Sequence, residues 1–182
     1  MIYQPVEDSY LLVNELKKHL KNKNKKTSIL DMGSGSGIQA QTCKDLGFTN
    51  IITADINQEV IEHLKKQGLK TIQTDLFSNI NKKQKFDLII FNPPYLPEDK
   101  REPEDSKLVT TAGKKGYEII IKFLKQAKLH LNKKGKIFLL FSSLSKPNII
   151  KNKTKVLGYT MSLLAKQKIP FEELYVYEIK IN

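Results

Sequence analysis

The sequence predicts an α/β domain: a mostly parallel sheet, helices on both of its faces, and a closing antiparallel strand pair. Three observations predict it. Strand-like apolar runs alternate with helical stretches along most of the chain, the pattern of crossover units that lay helices over a parallel sheet. The run FDLIIF at residues 86–91 is almost continuously apolar, as a central strand covered on both sides requires. A glycine-rich turn, GSGSG at residues 33–37, separates the first strand from the helix after it, the place where such folds approach a ligand with their backbone.

The elements follow in order. Residues 7–20 form an opening helix with Leu12, Leu16 and Leu20 on one stripe. A lysine–asparagine loop leads to a short strand at 28–32 and then to the glycine turn. The next helix runs to Leu46 and stops at Gly47. Residues 50–55 are a second strand, 58–67 a helix closed by Gly68, and 69–73 a third strand. Residues 86–91 run directly into Asn92, Pro93, Pro94 and Tyr95. Residues 116–131 read as an amphipathic helix with Ile120, Phe123, Leu124 and Ala127 inward, and 136–141 as a fifth strand. Ser145 with Pro147 reads as the cap and first turn of another helix. Apolar stretches at 158–165 and 174–181, joined through Pro170, suit the closing antiparallel pair. Residues 96–112 are polar, carry Pro97 and Pro103, and show no periodicity; loops of that length are usually lids, binding loops or disordered segments.

Composition narrows the class. A chain of 182 residues with 40% hydrophobic and 27% charged residues fits one globular domain. It has no apolar run long enough to span a membrane, and its opening residues carry no basic region or apolar stretch, so no signal peptide is expected. The single cysteine, Cys43, cannot form an internal disulfide, and the three histidines are scattered. A cytoplasmic protein without a metal site is expected. The net charge of +12 suits work beside an acidic partner such as ribosome or RNA. Equally, nearly all of it is lysine, with Arg101 the only arginine, and lysine clusters also read as solvated loops and helix ends.

The glycine turn alone could be only a tight turn, so its neighbours decide its meaning. Asp31 precedes Gly33, Ser34, Gly35 and Gly37, and Asp55 ends the second strand, where a carboxylate can accept from ribose hydroxyls. Asp75 is either a turn residue or an acceptor for an adenine amino group, with Ile56 and Leu76 supplying apolar contacts to the ring. The spacing is Gly-x-Gly-x-Gly rather than the dinucleotide Gly-x-Gly-x-x-Gly. An anion at Asp31 would repel pyrophosphate and attract the ammonium of a methionine moiety. The choice falls on S-adenosylmethionine over NAD.

Asn92, Pro93, Pro94 and Tyr95 are the expected catalytic corner. The prolines stiffen the backbone and remove donors. Oxygens of Asn92 and Pro93 can accept both N–H bonds of a planar NH2, which leaves the nitrogen lone pair facing a methyl donor. Those bonds strengthen as positive charge develops on nitrogen. Tyr95 can stack on the flat acceptor group.

Asp31 to Gly37, Asp55, Asp75 and Asn92 to Tyr95, in that order, resemble the HemK-type class I methyltransferases. The opening YQPVEDS at residues 3–9 is similar to the YxPxEDT/S signature of the archaeal and eukaryotic branch, and GKKG at 113–116 resembles that branch's segment after the lid. The resemblance implies a Rossmann-like sheet of seven strands and N5-methylation of the glutamine in the Gly-Gly-Gln motif of a class I translation termination factor. It implies cofactor contacts from Ser9, Asp31, Gly33, Asp55, Asp75 and Asn92. It implies a heterodimer with a small zinc-binding activator subunit that adds a strand to the sheet edge. One domain then spans 1–182: a helix within 1–24, a cofactor-binding half at 28–95, a lid at 96–112 and a C-terminal half at 113–182. An adenine or guanine exocyclic-amine methyltransferase acting on RNA or DNA, a protein lysine methyltransferase, and a non-catalytic module that keeps the fold are the competing readings.

Overall fold

The computed structural model describes residues 2–96 and 113–182. The expected lid, at 96–112, therefore lies outside the described residues apart from Leu96. In chain order the elements are α1 (Glu7–Leu20), β1 (Ile29–Met32), α2 (Ile38–Asp45), β2 (Ile51–Asp55), α3 (Gln58–Lys66), β3 (Thr71–Gln73), β4 (Phe86–Phe91), α4 (Glu118–Ala127), β5 (Leu131–Ser142), α5 (Pro147–Val156), β6 (Tyr159–Ile169) and β7 (Glu172–Ile181). One sheet of seven strands forms in the order β3-β2-β1-β4-β5-β7-β6. The first five strands are parallel, and β7 runs antiparallel to both β5 and β6.

Period-two alternation divides the central strands between two cores. Leu30, Ile89, Phe91, Ile137, Leu139 and Phe141 face one side and pack with Ile120, Phe123 and Leu124 of α4. Ile29, Leu88, Ile90, Phe138 and Leu140 face the other and pack with Leu12, Leu16 and Leu20 of α1 and Cys43 of α2. This is why FDLIIF has to be apolar at nearly every position: adjacent residues enter different cores.

Strand order reverses between β1 and β4, which lie side by side with Met32 opposite Phe91. The crevice of an open α/β sheet forms at the carboxyl ends of such a pair. The glycine turn leaves β1 there, and Asn92 leaves β4 beside it.

Several boundaries move from expectation, each for a tertiary reason. The helix expected at 116–131 occupies only Glu118–Ala127 and continues as a 3-10 turn over Lys128–His130. The third strand shrinks to three residues. Strand β5 begins five residues early because Leu131 pairs with Phe86 across a register shift. Ser145 does not cap α5. Ser142 caps a 3-10 turn, Ser143–Ser145, and Lys146, at φ 56°, precedes Pro147 at the first helical position. Strand β6 runs on to Ile169 because its residues pair with Glu172–Leu174, so only Pro170 and Phe171 connect it to β7.

Candidate active site

The site is built where four segments meet. Asp31 stands next to the end of β1 against α2, the glycine turn crosses over it, the start of α1 closes one side, and residues 92–95 close the other. Tyr3, Asp8, Ser9, Asp31, Gly33 to Ser36, Ile38, Gln39 and Asn92 to Leu96 line a single pocket. Asn92 and the prolines thus share a cavity with the glycine turn.

The turn is held from below by β2. Gly33 N–H and Ser34 N–H donate to the Ala54 carbonyl at 2.7 and 3.2 Å, and Ser34 Oγ donates to the Asp31 carbonyl at 2.7 Å. Gly35 N–H donates to Asp55 Oδ2 at 3.1 Å, and the other Asp55 oxygen accepts from Asn57 N–H. Gly33 and Gly35 have φ of 62° and 51°, a region that disfavours side chains. A Cβ on Gly35 would meet only Tyr3 Cβ, at 3.7 Å, so the space above the turn is open to a ligand.

Asp31 is buried, and its carboxyl accepts from Ala40 N–H at 3.2 Å. Burial pushes it up to about 7, against the lowering effect of that bond. The sequence reading takes Asp31 as an anion; its burial instead favours the neutral carboxyl. Gln39, on the first turn of α2, is buried and donates through Nε2 to the Ser9 carbonyl at 3.3 Å. Its Oε1 is buried without a partner.

The corner is pinned from two directions. Ser145 Oγ donates to the Tyr95 carbonyl at 2.8 Å. Asn92 Nδ2 donates to Asp8 Oδ2 at 3.2 Å, and Asn92 Oδ1 is buried and has no partner among the described residues. Tyr95 is half-buried, and burial, followed by the nearby Asp8 and Glu172 carboxylates, raises its hydroxyl pKa. It stays a neutral phenol.

Other expected residues lie elsewhere. Gly37 does not line this pocket: it starts α2 at φ 83°, and a Cβ there would come within 2.6 Å of Leu64 Cδ2 and 2.8 Å of Gln67 Oε1. Its bareness serves helix packing. Leu76, at φ 50°, turns its side chain into the core, so the apolar surface left open at the strand ends is that of Ile56. Asp75 is solvent-accessible and ion-paired with Lys122 at 2.7 Å. Asp55, Ile56 and Asp75 stand at the ends of β2 and β3, outside the enclosed part of the site.

The family model described as "Methyltransferase small domain" matches residues 7–168. The chain belongs to that family. The methyltransferase is 37% identical to a Methanocaldococcus jannaschii protein that carries the name protein N5-glutamine methyltransferase, over 96% of this chain and 89% of that one. It is 36% identical to a release factor glutamine methyltransferase of Clostridium botulinum over 52% of this chain and 37% of the relative. It spans less than half of that bacterial relative. Among solved structures it superposes on the E. cuniculi Mtq2–Trm112 complex, responsible for methylation of the eRF1 translation termination factor, with a TM-score of 0.80 and 24% identity, covering 100% of this chain and 99% of that one. S-adenosylmethionine is the methyl donor of the family. The residues present are compatible with it: Asp31 and Gln39 line the pocket with oxygen acceptors, Gln39 Oε1 having no partner among the described residues, and Asp55 ends β2.

Sequence reasoning missed Tyr3, Ser36, Ile38, Gln39 and Leu96 as pocket residues, and above all Asp8. Tyr3 and Asp8 both belong to the opening YxPxED stretch, which was the signal available.

Proposed function

We propose that this chain is an S-adenosylmethionine-dependent N-methyltransferase whose acceptor is a protein glutamine amide, that of the Gly-Gly-Gln motif of a class I translation termination factor. The reading is carried by Asn92 Oδ1, a buried acceptor with no donor among the described residues, at the corner of the same pocket that holds the glycine turn. A buried polar atom left unpaired costs about 1–3 kcal/mol. An incoming N–H removes that cost, and the bond strengthens as the nitrogen acquires positive charge, so stabilisation is greatest in the transition state.

The chain's own groups then divide the work. Asn92 Oδ1 and the Pro93 carbonyl take the two N–H bonds of the acceptor. Pro94 stiffens the bend, Ser145 fixes it through the Tyr95 carbonyl, and the Tyr95 ring lies against the flat amide. Ser9, Asp31, Gly33, Ser34, Gly35 and Gln39 hold the amino-acid end of the cofactor, Asp55 the ribose and Ile56 the adenine. Asp75 reaches the adenine amino group after parting from Lys122. Gly37 and Leu76 shape the turns rather than touching the cofactor. S-adenosylmethionine supplies an electrophilic methyl group on a sulfonium.

The names of the relatives support a glutamine acceptor. So do the carboxylates of Asp8, Glu172 and Glu7, which after burial also raise the Tyr95 hydroxyl: negative charge beside the acceptor end disfavours a phosphodiester backbone. The net charge of +12 is then a property of the remaining surface, suited to approach to the translation machinery in the cytoplasm. A small zinc-binding activator subunit would complete a heterodimer by pairing with β3, which among the described residues has β2 on one side only and carries half-buried Ile72.

The test is to incubate the protein, with and without its activator, with methyl-labelled donor and either the termination factor of the same cell or its total RNA. Mass spectrometry should place one methyl group on the Gly-Gly-Gln glutamine. Label confined to RNA would overturn the reading in favour of a base amine.

A further inference from the structure

We propose that Asp8 is a positioning residue that sets the polarity of Asn92, fixing its carboxamide so that the oxygen, not the NH2, faces the acceptor; this rests on the glutamine-amide reading above. A carboxamide can present either end to a ligand, and the two orientations are nearly the same in shape. Only the partner on its other side decides between them.

That partner is Asp8. It is 2% exposed, and among the described residues no cation pairs with it. Its two oxygens are separately committed. Oδ1 accepts from Ser9 N–H and Ser9 Oγ–H. Oδ2 accepts from Tyr3 Oη–H at 3.0 Å and from Asn92 Nδ2–H at 3.2 Å. With the Tyr3 hydroxyl and the Ser9 N–H and hydroxyl all donating to it, Asp8 serves as an acceptor throughout, so Asn92 turns its NH2 toward it. Its oxygen is then forced toward the corner, where it waits unpaired. The site accordingly selects acceptor groups that bring donors, an NH2, and rejects those that bring a carbonyl or carboxylate oxygen.

The consequence of removing the charge follows from the same bonds. In Asp8→Asn the new carboxamide must keep its oxygen toward the Ser9 backbone N–H, which cannot reverse. Its NH2 then takes the place of Oδ2 and faces Asn92. Asn92 turns over to accept from it and presents its own NH2 to the acceptor, donor against donor. Tyr3 Oη can accept where it formerly donated, so packing survives while polarity inverts. The exchange Asp8→Asn with Asn92→Asp restores the sense: the residue 8 amide donates, and a carboxylate at 92 offers an acceptor oxygen whichever way it turns.

The experiment uses the full-length protein with its activator, S-adenosylmethionine and the termination factor. Asp8→Asn should lower kcat at least 100-fold while leaving the cofactor Kd within threefold. The double exchange should recover at least tenfold of kcat over Asp8→Asn, which a merely structural role for Asp8 would not permit. A single variant within threefold of wild type, or a double exchange no faster than the single one, would overturn the proposal while leaving the glutamine reading intact. A readout independent of turnover uses protein with 15N-labelled asparagine: the Asn92 side-chain NH2 should exchange with water far more slowly than that of exposed Asn148, and the protection should vanish in Asp8→Ala. Equal exchange rates in the wild type would refute the clamp even if no glutamine were methylated, an outcome that would separately refute the glutamine reading.

Discussion

Truncating Asn92 to alanine separates catalysis from folding in a way that can be worked out from its two side-chain atoms. The substitution removes the bond from Nδ2 to Asp8, a hydrogen bond to a charged group worth about 1.5–3 kcal/mol. It also removes the unpaired Oδ1, whose burial costs about 1–3 kcal/mol in the empty pocket. The two offset, and Asp8 keeps Tyr3 and Ser9 as donors. Folding stability should therefore change by only about 1 kcal/mol, which for a domain of this size moves the melting temperature by roughly 2–4 °C. The transition state loses an acceptor aimed at developing charge, and removal of one such group costs ~10²–10³ in kcat, or about 2.7–4 kcal/mol. Single-turnover methylation of the termination factor at saturating S-adenosylmethionine, beside calorimetric titration of the cofactor, measures both. Asn92→Ala should bind cofactor within threefold of wild type and transfer methyl at least 100-fold more slowly. Transfer within fivefold of wild type would refute the role assigned to Oδ1, as would a rate loss matched by an equal loss of cofactor affinity.

The remaining predictions concern the cofactor end and the scaffold. Lys122→Ala frees Asp75 from an exposed ion pair worth about 0–1 kcal/mol, so cofactor affinity at low salt should rise by up to about fivefold; unchanged or weaker binding in calorimetry removes the adenine role from Asp75. The Asp31 carboxyl, raised from 3.8 to about 7 by burial, holds its proton longer in the folded chain than in the unfolded one. Its contribution is therefore most favourable below pH 3.8 and falls by roughly 4 kcal/mol as pH rises to about 7. Asp31→Asn should abolish that fall in urea titrations at pH 5 and 8, and weaken S-adenosylmethionine binding at pH 8; a pH slope identical to wild type would refute the assignment. Gly37→Ala places a Cβ 2.6 Å from Leu64 and 2.8 Å from Gln67 at φ 83°, and should cost about 1–3 kcal/mol, seen as a melting temperature lower by roughly 2–10 °C; an unchanged melt would show that the α2–α3 contact yields freely.

How far the fold could be read depended on whether local sequence and tertiary partner agreed. Strand β4 was legible residue for residue because both its faces are covered, so every position but Asp87 advertises burial. Strand β6 was legible only to Ala165: Lys166, Gln167 and Lys168 are polar and exposed, and they are strand because β7 pairs with them, a fact absent from their own composition. Leu76 looked like a ring contact because an apolar residue beside a turn aspartate has no sequence mark of a positive φ, and that dihedral sends it into the core. Asp8 was the harder loss. With Glu7 it reads as an acid in the first turn of a helix, where it favours the helix dipole, and nothing in residues 7–20 indicates an asparagine on a distant strand. The bend at residues 92–95 was legible because two consecutive prolines leave the backbone little choice, whereas the bond from the Asn92 amide to Asp8 was not.

The bond between Asp8 and Asn92 joins positions 84 apart in the chain, and it exists only once β4 has been laid beside β1 and the opening helix has settled over both. Contacts of that sequence separation form late, since loop closure must precede them. Competence thus arrives with the final closure of the domain, so a half-formed molecule holds donor and acceptor out of line.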